Sequence, residues 1–298
     1  MKRRVVFVIG TPRSGSTLLG AMLGSHSSAA FVSEMNTFHQ GVRRRRAWRG
    51  PGRTCILCDG PCPVWDDRVS GHFAWRRYGA LGRAWSRLPA ARGFYEELFD
   101  AIGAGTLVDS SKHFSWLQTR LRERRDWRDA EPHLIHVSRD GRGTLASFKR
   151  RRPDVDTTTH VDRWIDEVRT IGAAFDAFDP GRRASVRYED LVRRPDETLR
   201  ELCGALGLDH EPAMAQYWRH DHHVTNGNRG TVSLIARWRA EHEGRARAVL
   251  DRRGDREHYQ GLGYALVADR RWQDELDEAD LALFEAKAGG LNRELGYD

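Results

Sequence analysis

Short apolar runs alternate with helically spaced ones along most of the chain. RRVVFVIG (3–10) is β-branched, apolar on both faces and closed by glycine, the pattern of a buried parallel strand. SGSTLLGAMLG (14–24) then changes to helical spacing, with Leu18, Leu19, Met22 and Leu23 on its apolar side. AAFVS (29–33), TLVDSS (106–111), LIHVSR (134–139) and RASVRYEDL (183–191) read as four further strands. Helical segments separate the later strands: FYEELFDAIG (94–103), the start in DGRGTLASFKRR, an amphipathic stretch over roughly 160–178, and PDETLRELCGALGL (195–208). The last begins with Pro195 and two acids, as a helix N-terminus does, and carries Leu199, Leu202, Cys203 and Leu206 on one face. This alternation predicts an α/β fold, a P-loop-like three-layer domain whose central, mostly parallel sheet is flanked by helices. In such sheets ligands bind beyond the carboxyl ends of the strands, where Arg13, Glu34, Ser111 and Arg139 all fall.

The pattern breaks down in two places. Residues 36–93 hold four consecutive arginines (Arg43 to Arg46), the cysteine segment CILCDGPC and Trp48, Trp65, Trp75 and Trp85, and read as a cap inserted over the site. Residues 209–298 read as a mainly helical C-terminal part. The expectation is a single domain over 1–298.

Charge adds to this picture. The chain of 298 residues carries a formal charge of +7, and of its 49 basic residues 45 are arginine, leaving Lys2, Lys112, Lys149 and Lys287. Arginine in that excess equips a pocket for fixed-geometry anion binding. The basic residues lack the aromatic interleaving of a nucleic-acid module, so no nucleic acid partner is expected. No apolar run approaches the ~20 residues that span a bilayer, and Met1-Lys-Arg-Arg leads into a strand; a cytoplasmic protein without a membrane span is expected.

GTPRSGST (10–17) follows the first strand and opens the first helix. A glycine-rich turn there points backbone N–H groups at one spot, and the helix dipole reinforces their attraction for an anion. Nucleoside-triphosphate loops place a lysine just before the Ser/Thr; that position is Ser16 here, and Arg13 with the hydroxyls of Ser14, Ser16 and Thr17 is left to complete the cradle beside Gly15. In HVSRDGRGTLASFKRR, Arg139 ends a strand and Ser147 lies eight residues on, so a turn at Gly141 and Gly143 lets the two converge on a second anion. Two anion sites on one sheet edge fit a nucleotide phosphorylated at both ends.

These segments resemble the sulfotransferases that use 3′-phosphoadenosine 5′-phosphosulfate (PAPS), more the tyrosylprotein and carbohydrate branch than the aryl branch. The family's 5′-phosphosulfate loop, R-S-G-[ST]-[ST]-L, is matched by Arg13, Ser14, Gly15, Ser16, Thr17 and Leu18. Its 3′-phosphate arginine and serine are matched by Arg139 and Ser147, and RYEDL (187–191) matches the following strand region. A weaker likeness continues to NGNRG (226–230), where Asn228, Arg229 and Gly230 stand for the turn that closes the 3′-phosphate in aryl members. The resemblance implies PAPS as donor, adenosine 3′,5′-bisphosphate as product, no metal requirement, and a small-molecule or glycan hydroxyl as acceptor. It also implies in-line transfer, with Arg13 and Lys112 receiving charge at the bridging oxygen and Glu34 as base, His113 being the runner-up. An ATP-dependent small-molecule kinase, which the missing lysine argues against and for which Asp109 is the nearest metal-holding acid, and a non-catalytic nucleotide-binding protein are the alternatives. For Cys55, Cys58 and Cys62, free thiols or a local disulfide are favoured over zinc, because no fourth ligand stands out among Asp59, His72 and Cys203. His220, His222 and His223 read as part of an acceptor-side or nucleotide-closing loop.

Overall fold

The computed structural model describes residues 2–37, 55–58, 60, 62–70, 92–244, 261 and 263–298. Arg43 to Arg46, Trp48, Trp75, Trp85, Asp59 and His72 lie outside the described residues.

The chain runs β1 (Arg3–Ile9), α1 (Ser16–Leu23), β2 (Ala29–Ser33), α2 (Phe94–Ile102), β3 (Thr106–Asp109), α3 (Phe114–Arg122), β4 (Ala130–Ser138), α4 (Gly141–Arg151), α5 (Thr157–Asp176), β5 (Arg183–Arg187), α6 (Tyr188–Arg193) and α7 (Pro195–Leu206). After β5 the described residues hold helices and no strand: besides α6 and α7 these include α8 (Arg229–Glu243) and, after a short turn of helix, α9 (Glu278–Glu294). A π-helical segment, Pro63–Ser70, packs against α2.

The five strands form one sheet in the order β2-β3-β1-β4-β5, and every pairing is parallel. The sheet is thus the α/β architecture that the alternating pattern predicts. β1 lies at its centre with Val5, Val6, Phe7, Val8 and Ile9 buried, which is why that strand reads as a continuous apolar run. From β1 the chain passes to β2 and β3 on one side and only then crosses to β4 and β5 on the other, so the topological switch point lies at the carboxyl end of β1. A second cluster, including Leu145, Trp164, Ile165 and Phe284, packs α9 against α4 and α5 and braces the start of α4. A Cβ on Gly141 would stand 2.4 Å from the Phe284 ring and 2.7 Å from Trp164, so only glycine lets α4 begin there.

Two boundaries differ from the sequence reading. β4 begins at Ala130, four residues before the apolar run LIHVSR, because it pairs with the full length of β1. β5 ends at Arg187 and the rest of RASVRYEDL turns into α6, whose first turn carries Glu189 and Asp190; acids at that position favour a helix N-terminus over continued strand.

Candidate active site

A cleft of about 940 Å³ opens at the switch point. Its floor is the β1–α1 loop. Gly15 caps α1 in the left-handed region at φ 97°, and a Cβ there would lie 2.6 Å from the Tyr188 ring. Glycine is therefore required twice over at this position, by backbone conformation and by the close approach of an aromatic wall. Gly15, Ser16 and Thr17 line the cleft, as does Arg13, which also has a positive φ of 78°. Ser14 is different. Its side chain is fully buried, packs against the backbone of Gly10 and does not line the cleft; its N–H bonds Thr11 O and shapes the turn.

The second motif arrives from β4 and α4. Arg139 is largely buried, with Nη1 donating to the Arg13 carbonyl at 3.0 Å and its guanidinium lying 4.8 Å over the Tyr188 ring. Ser147 lines the same cleft, and its Oγ accepts from Arg13 Nε at 2.8 Å. Arg13 therefore bridges the two motifs from the first loop to α4. Asp140 and Arg142, the second and last residues of the R-D-G-R segment, serve the scaffold: Asp140 caps α4 through the Arg142 N–H and pairs with the Arg142 guanidinium, which stacks over Trp272.

Asp269 enters this half of the site from the C-terminal part and was not foreseen from sequence. Its backbone carbonyl accepts from Arg139 Nη2 at 3.0 Å, and its carboxylate pairs with Arg139 at 3.5 Å and Arg271 at 2.8 Å. Burial pushes its carboxyl up, but the Arg271 hydrogen bond and the charges of Arg139 and Arg271 outweigh that and hold it well below the usual carboxylate range.

The third component joins the ends of β2 and β3. Glu34 Oε1 forms an ion pair with Lys112 Nζ, and both side chains are mostly shielded, at 13% and 18% exposure. Glu34 Oε2 accepts from Asn226 Nδ2 at 2.8 Å. Lys112 has φ 62° and Ser33, next to Glu34, has φ 65°, so backbone strain gathers where these two side chains are aimed. His113 is exposed at the N-terminus of α3 and is not among the residues lining the cleft.

Beneath this pair lies Asp109, fully buried. It accepts from Ser111 N (2.8 Å), the Ser111 hydroxyl, Tyr95 Oη (2.5 Å), Trp116 Nε1 (2.8 Å) and Met35 N (3.4 Å). Burial pushes its carboxyl up, and the bonds from Ser111, Tyr95 and Trp116 oppose that shift. The metal-holding role weighed for Asp109 fails on geometry, because its oxygens are spent on tying the residue after Glu34 to the residue before Lys112.

The roof comes from residues 225–230. Asn228 N donates to Thr17 Oγ1 at 3.0 Å, and a Cβ on Gly227 would come within 2.8 Å of Thr17. Asn228, Arg229 and Gly230 line the cleft, with Asn228 capping α8. The C-terminal stretch therefore closes over the first loop.

The expectation that no metal is required is overturned a short way along the same chain segment. Cys55, Cys58, Cys62 and His223 bring their ligand atoms within 4.8 Å of one another, a constellation suited to a metal ion. The missing fourth ligand is a histidine more than 160 residues away in sequence, which local spacing does not reveal. No disulfide joins the cysteines. Cys203, by contrast, is a buried core thiol against Met214, pushed up to about 11 by burial.

Comparison with known proteins agrees with this construction. A solved sulfotransferase domain from the Synechococcus PCC 7002 olefin synthase is similar over 87% of this chain and 94% of its own, at 20% identity and a TM-score of 0.55. A sulfotransferase domain from the curacin biosynthetic pathway is similar over 89% of this chain and 99% of its own, at 21% identity and a TM-score of 0.51. At these identities the likeness is one of fold. In sequence, the protein-tyrosine sulfotransferase 2 of Gallus gallus is 22% identical over 236 residues, 77% of this chain; the chain spans 57% of that relative's length. Residues 5–212, which hold the first loop, the Glu34–Lys112 pair and the Arg139–Ser147 segment, match the sulfotransferase family, and the chain belongs to that family.

Proposed function

We propose that the chain transfers the sulfuryl group of PAPS to a hydroxyl of a small-molecule or glycan acceptor. The observation that carries this reading is the convergence on one cleft of two anion-binding motifs with a carboxylate–ammonium pair between the strand ends. Backbone amides at Gly15 to Thr17 grip the 5′ end of the donor. Arg139 and Ser147 take the 3′-phosphate, with Asn228, Arg229 and Gly230 closing over it.

Glu34 accepts the acceptor's proton as its oxygen attacks sulfur from the side opposite the phosphate. The sulfur–oxygen bond to the phosphate breaks, and adenosine 3′,5′-bisphosphate leaves with the bonding pair. Lys112 and Arg13 stabilise the charge that grows on the leaving oxygen. His113, exposed and outside the cleft, is set aside as base. Leu234 and Leu266 give the cleft an apolar wall against which an acceptor packs. The tyrosylprotein-type assignment rests on the Glu34–Lys112 pairing and on the named relative, and a phenolic hydroxyl is the first acceptor class to try.

Transfer from PAPS to a panel of phenolic and glycan hydroxyls tests the reading. Arg13→Ala and Lys112→Ala should each lower kcat on the order of 100-fold, the loss of ~3 kcal/mol expected for one preformed charged contact in the transition state. Either variant retaining nearly full kcat removes its assigned role.

A further inference from the structure

The cysteine segment reaches the active site through the backbone. His223 Nδ1 lies 3.2 Å from Cys62 Sγ, 3.4 Å from Cys58 Sγ and 4.0 Å from Cys55 Sγ. One imidazole nitrogen supports one hydrogen bond, which accounts for one of these three approaches and not for all of them. A tetrahedral zinc ion accounts for all three, since Zn–S near 2.3 Å and Zn–N near 2.0–2.1 Å place a ligating sulfur and nitrogen about 3.5 Å apart. The observed separations bracket that edge.

The surroundings fit the same ion. Trp65 N donates to Cys62 Sγ at 3.3 Å, the kind of amide contact that stabilises a thiolate. His223 Nε2 lies 3.3 Å from Asp221 Oδ2, and Asp221 is held by the buried Arg239. A carboxylate on the far nitrogen fixes the ring's orientation and raises the basicity of a metal-bound imidazole. Cys55 and Cys62 are buried, and four protein ligands leave no open position. The donor set is that of a structural site.

We propose that Cys55, Cys58, Cys62 and His223 bind one structural zinc ion, and that this ion anchors the strap 223–228 that roofs the candidate active site. The two segments it joins also pair directly: Ile56 N donates to Val224 O at 2.8 Å, and Trp65 Nε1 to His223 O at 2.5 Å. Beyond His223 the strap touches the site at each step. Thr225 N donates to Ser33 Oγ, Asn226 to Glu34, and Asn228 N to Thr17 Oγ1. An ion at His223 thereby sets the register in which Asn226 meets Glu34 and Asn228 meets the first loop. The metal assignment stands apart from the transfer reading, because metal content is measured without any acceptor or donor.

The full chain, purified without added metal, is analysed for bound metals together with Cys62→Ala, His223→Ala and Cys203→Ala. The expected result is ~1 zinc per chain in the wild type and in Cys203→Ala, and its loss in both ligand variants. Because a ligand variant can misfold, the wild-type chain is also stripped with a thiol-specific mercurial, reduced, and titrated with cobalt. Thiolate-to-cobalt charge transfer and intense tetrahedral ligand-field bands, abolished by zinc, are expected. Asp221→Asn, which keeps all four ligands, should weaken zinc binding about 10-fold. Stripping should also weaken binding of adenosine 3′,5′-bisphosphate, and zinc should restore it. A wild-type chain without zinc that gives no thiolate–cobalt spectrum, or zinc retained in both ligand variants, overturns the site. Nucleotide binding indifferent to a demonstrated zinc overturns the anchoring role.

Discussion

Glu34 has both carboxylate oxygens engaged, one by Lys112 and one by Asn226. In its proposed role as base, Glu34 is aimed before the acceptor arrives, and the acceptor hydroxyl must take over one of the two contacts. Glu34→Gln preserves the shape but removes the proton acceptor, so kcat should fall by about 100-fold or more while binding of adenosine 3′,5′-bisphosphate stays near wild type. Asn226→Ala removes an orienting contact only and should cost less, about 10-fold, read as the same kcat ratio. That Arg13, Glu34, Lys112 and Arg139 would face one cleft was legible in the sequence because each stands at or just beyond a strand end, and Ser147 because it follows Arg139 by two turns of α4. Asn226 was not, since its partner lies 192 residues away, and nothing in NGNRG alone aims its amide at a carboxylate. His113 was the runner-up base in sequence, but next to the left-handed backbone at Lys112 it is exposed and does not line the cleft.

At the level of elements, the ends of β2 and β3 are held in register by Asp109, which gathers bonds from Met35, Ser111, Tyr95 and Trp116. Asp109→Ala strands several buried donors at once and should lower unfolding stability by about 3 kcal/mol, measured by denaturant titration; Asp109→Asn, which still accepts, should lose less. Sequence order revealed the strands and the polar residue closing β3, yet the purpose of that residue depends on α2 and α3 packing over it. The RYEDL segment shows the same division. Its strand part ends at Arg187 and was readable in RASVR, whereas Tyr188 acts as the wall shared by Gly15 and Arg139, a role that exists only once β5 lies beside β4. Gly15→Ala should therefore weaken nucleotide binding as well as strain the loop, with binding measured by calorimetry as the check.

Across the whole molecule, acid lability follows from histidines that burial keeps neutral. Burial lowers the His136 imidazole to about 4, with Asp176 opposing the shift, from an ordinary value near 6.5. The unfolded chain takes up a proton there before the folded one does, so this contribution to stability is present above about pH 6.5 and is lost as pH falls toward 4. Thermal unfolding followed from pH 7 to pH 4 should show a falling Tm, with a shallower fall in His136→Gln. The pairing of the sheet with a cleft at its switch point could be expected from strand–helix alternation, whereas the joining of Cys55, Cys58 and Cys62 to the strap 223–228 could not: the cysteine spacing suggested a site, but its fourth member, His223, lies more than 160 residues away. On the proposed reading the cleft holds a nucleotide phosphorylated at both its 3′ and 5′ ends. Calorimetric titration of the full chain with adenosine 3′,5′-bisphosphate and with ATP, each with and without Mg²⁺, tests it most directly. Tight binding of the bisphosphate that is indifferent to Mg²⁺ and weakened by Arg139→Ala is predicted, and preference for ATP with Mg²⁺ would contradict it.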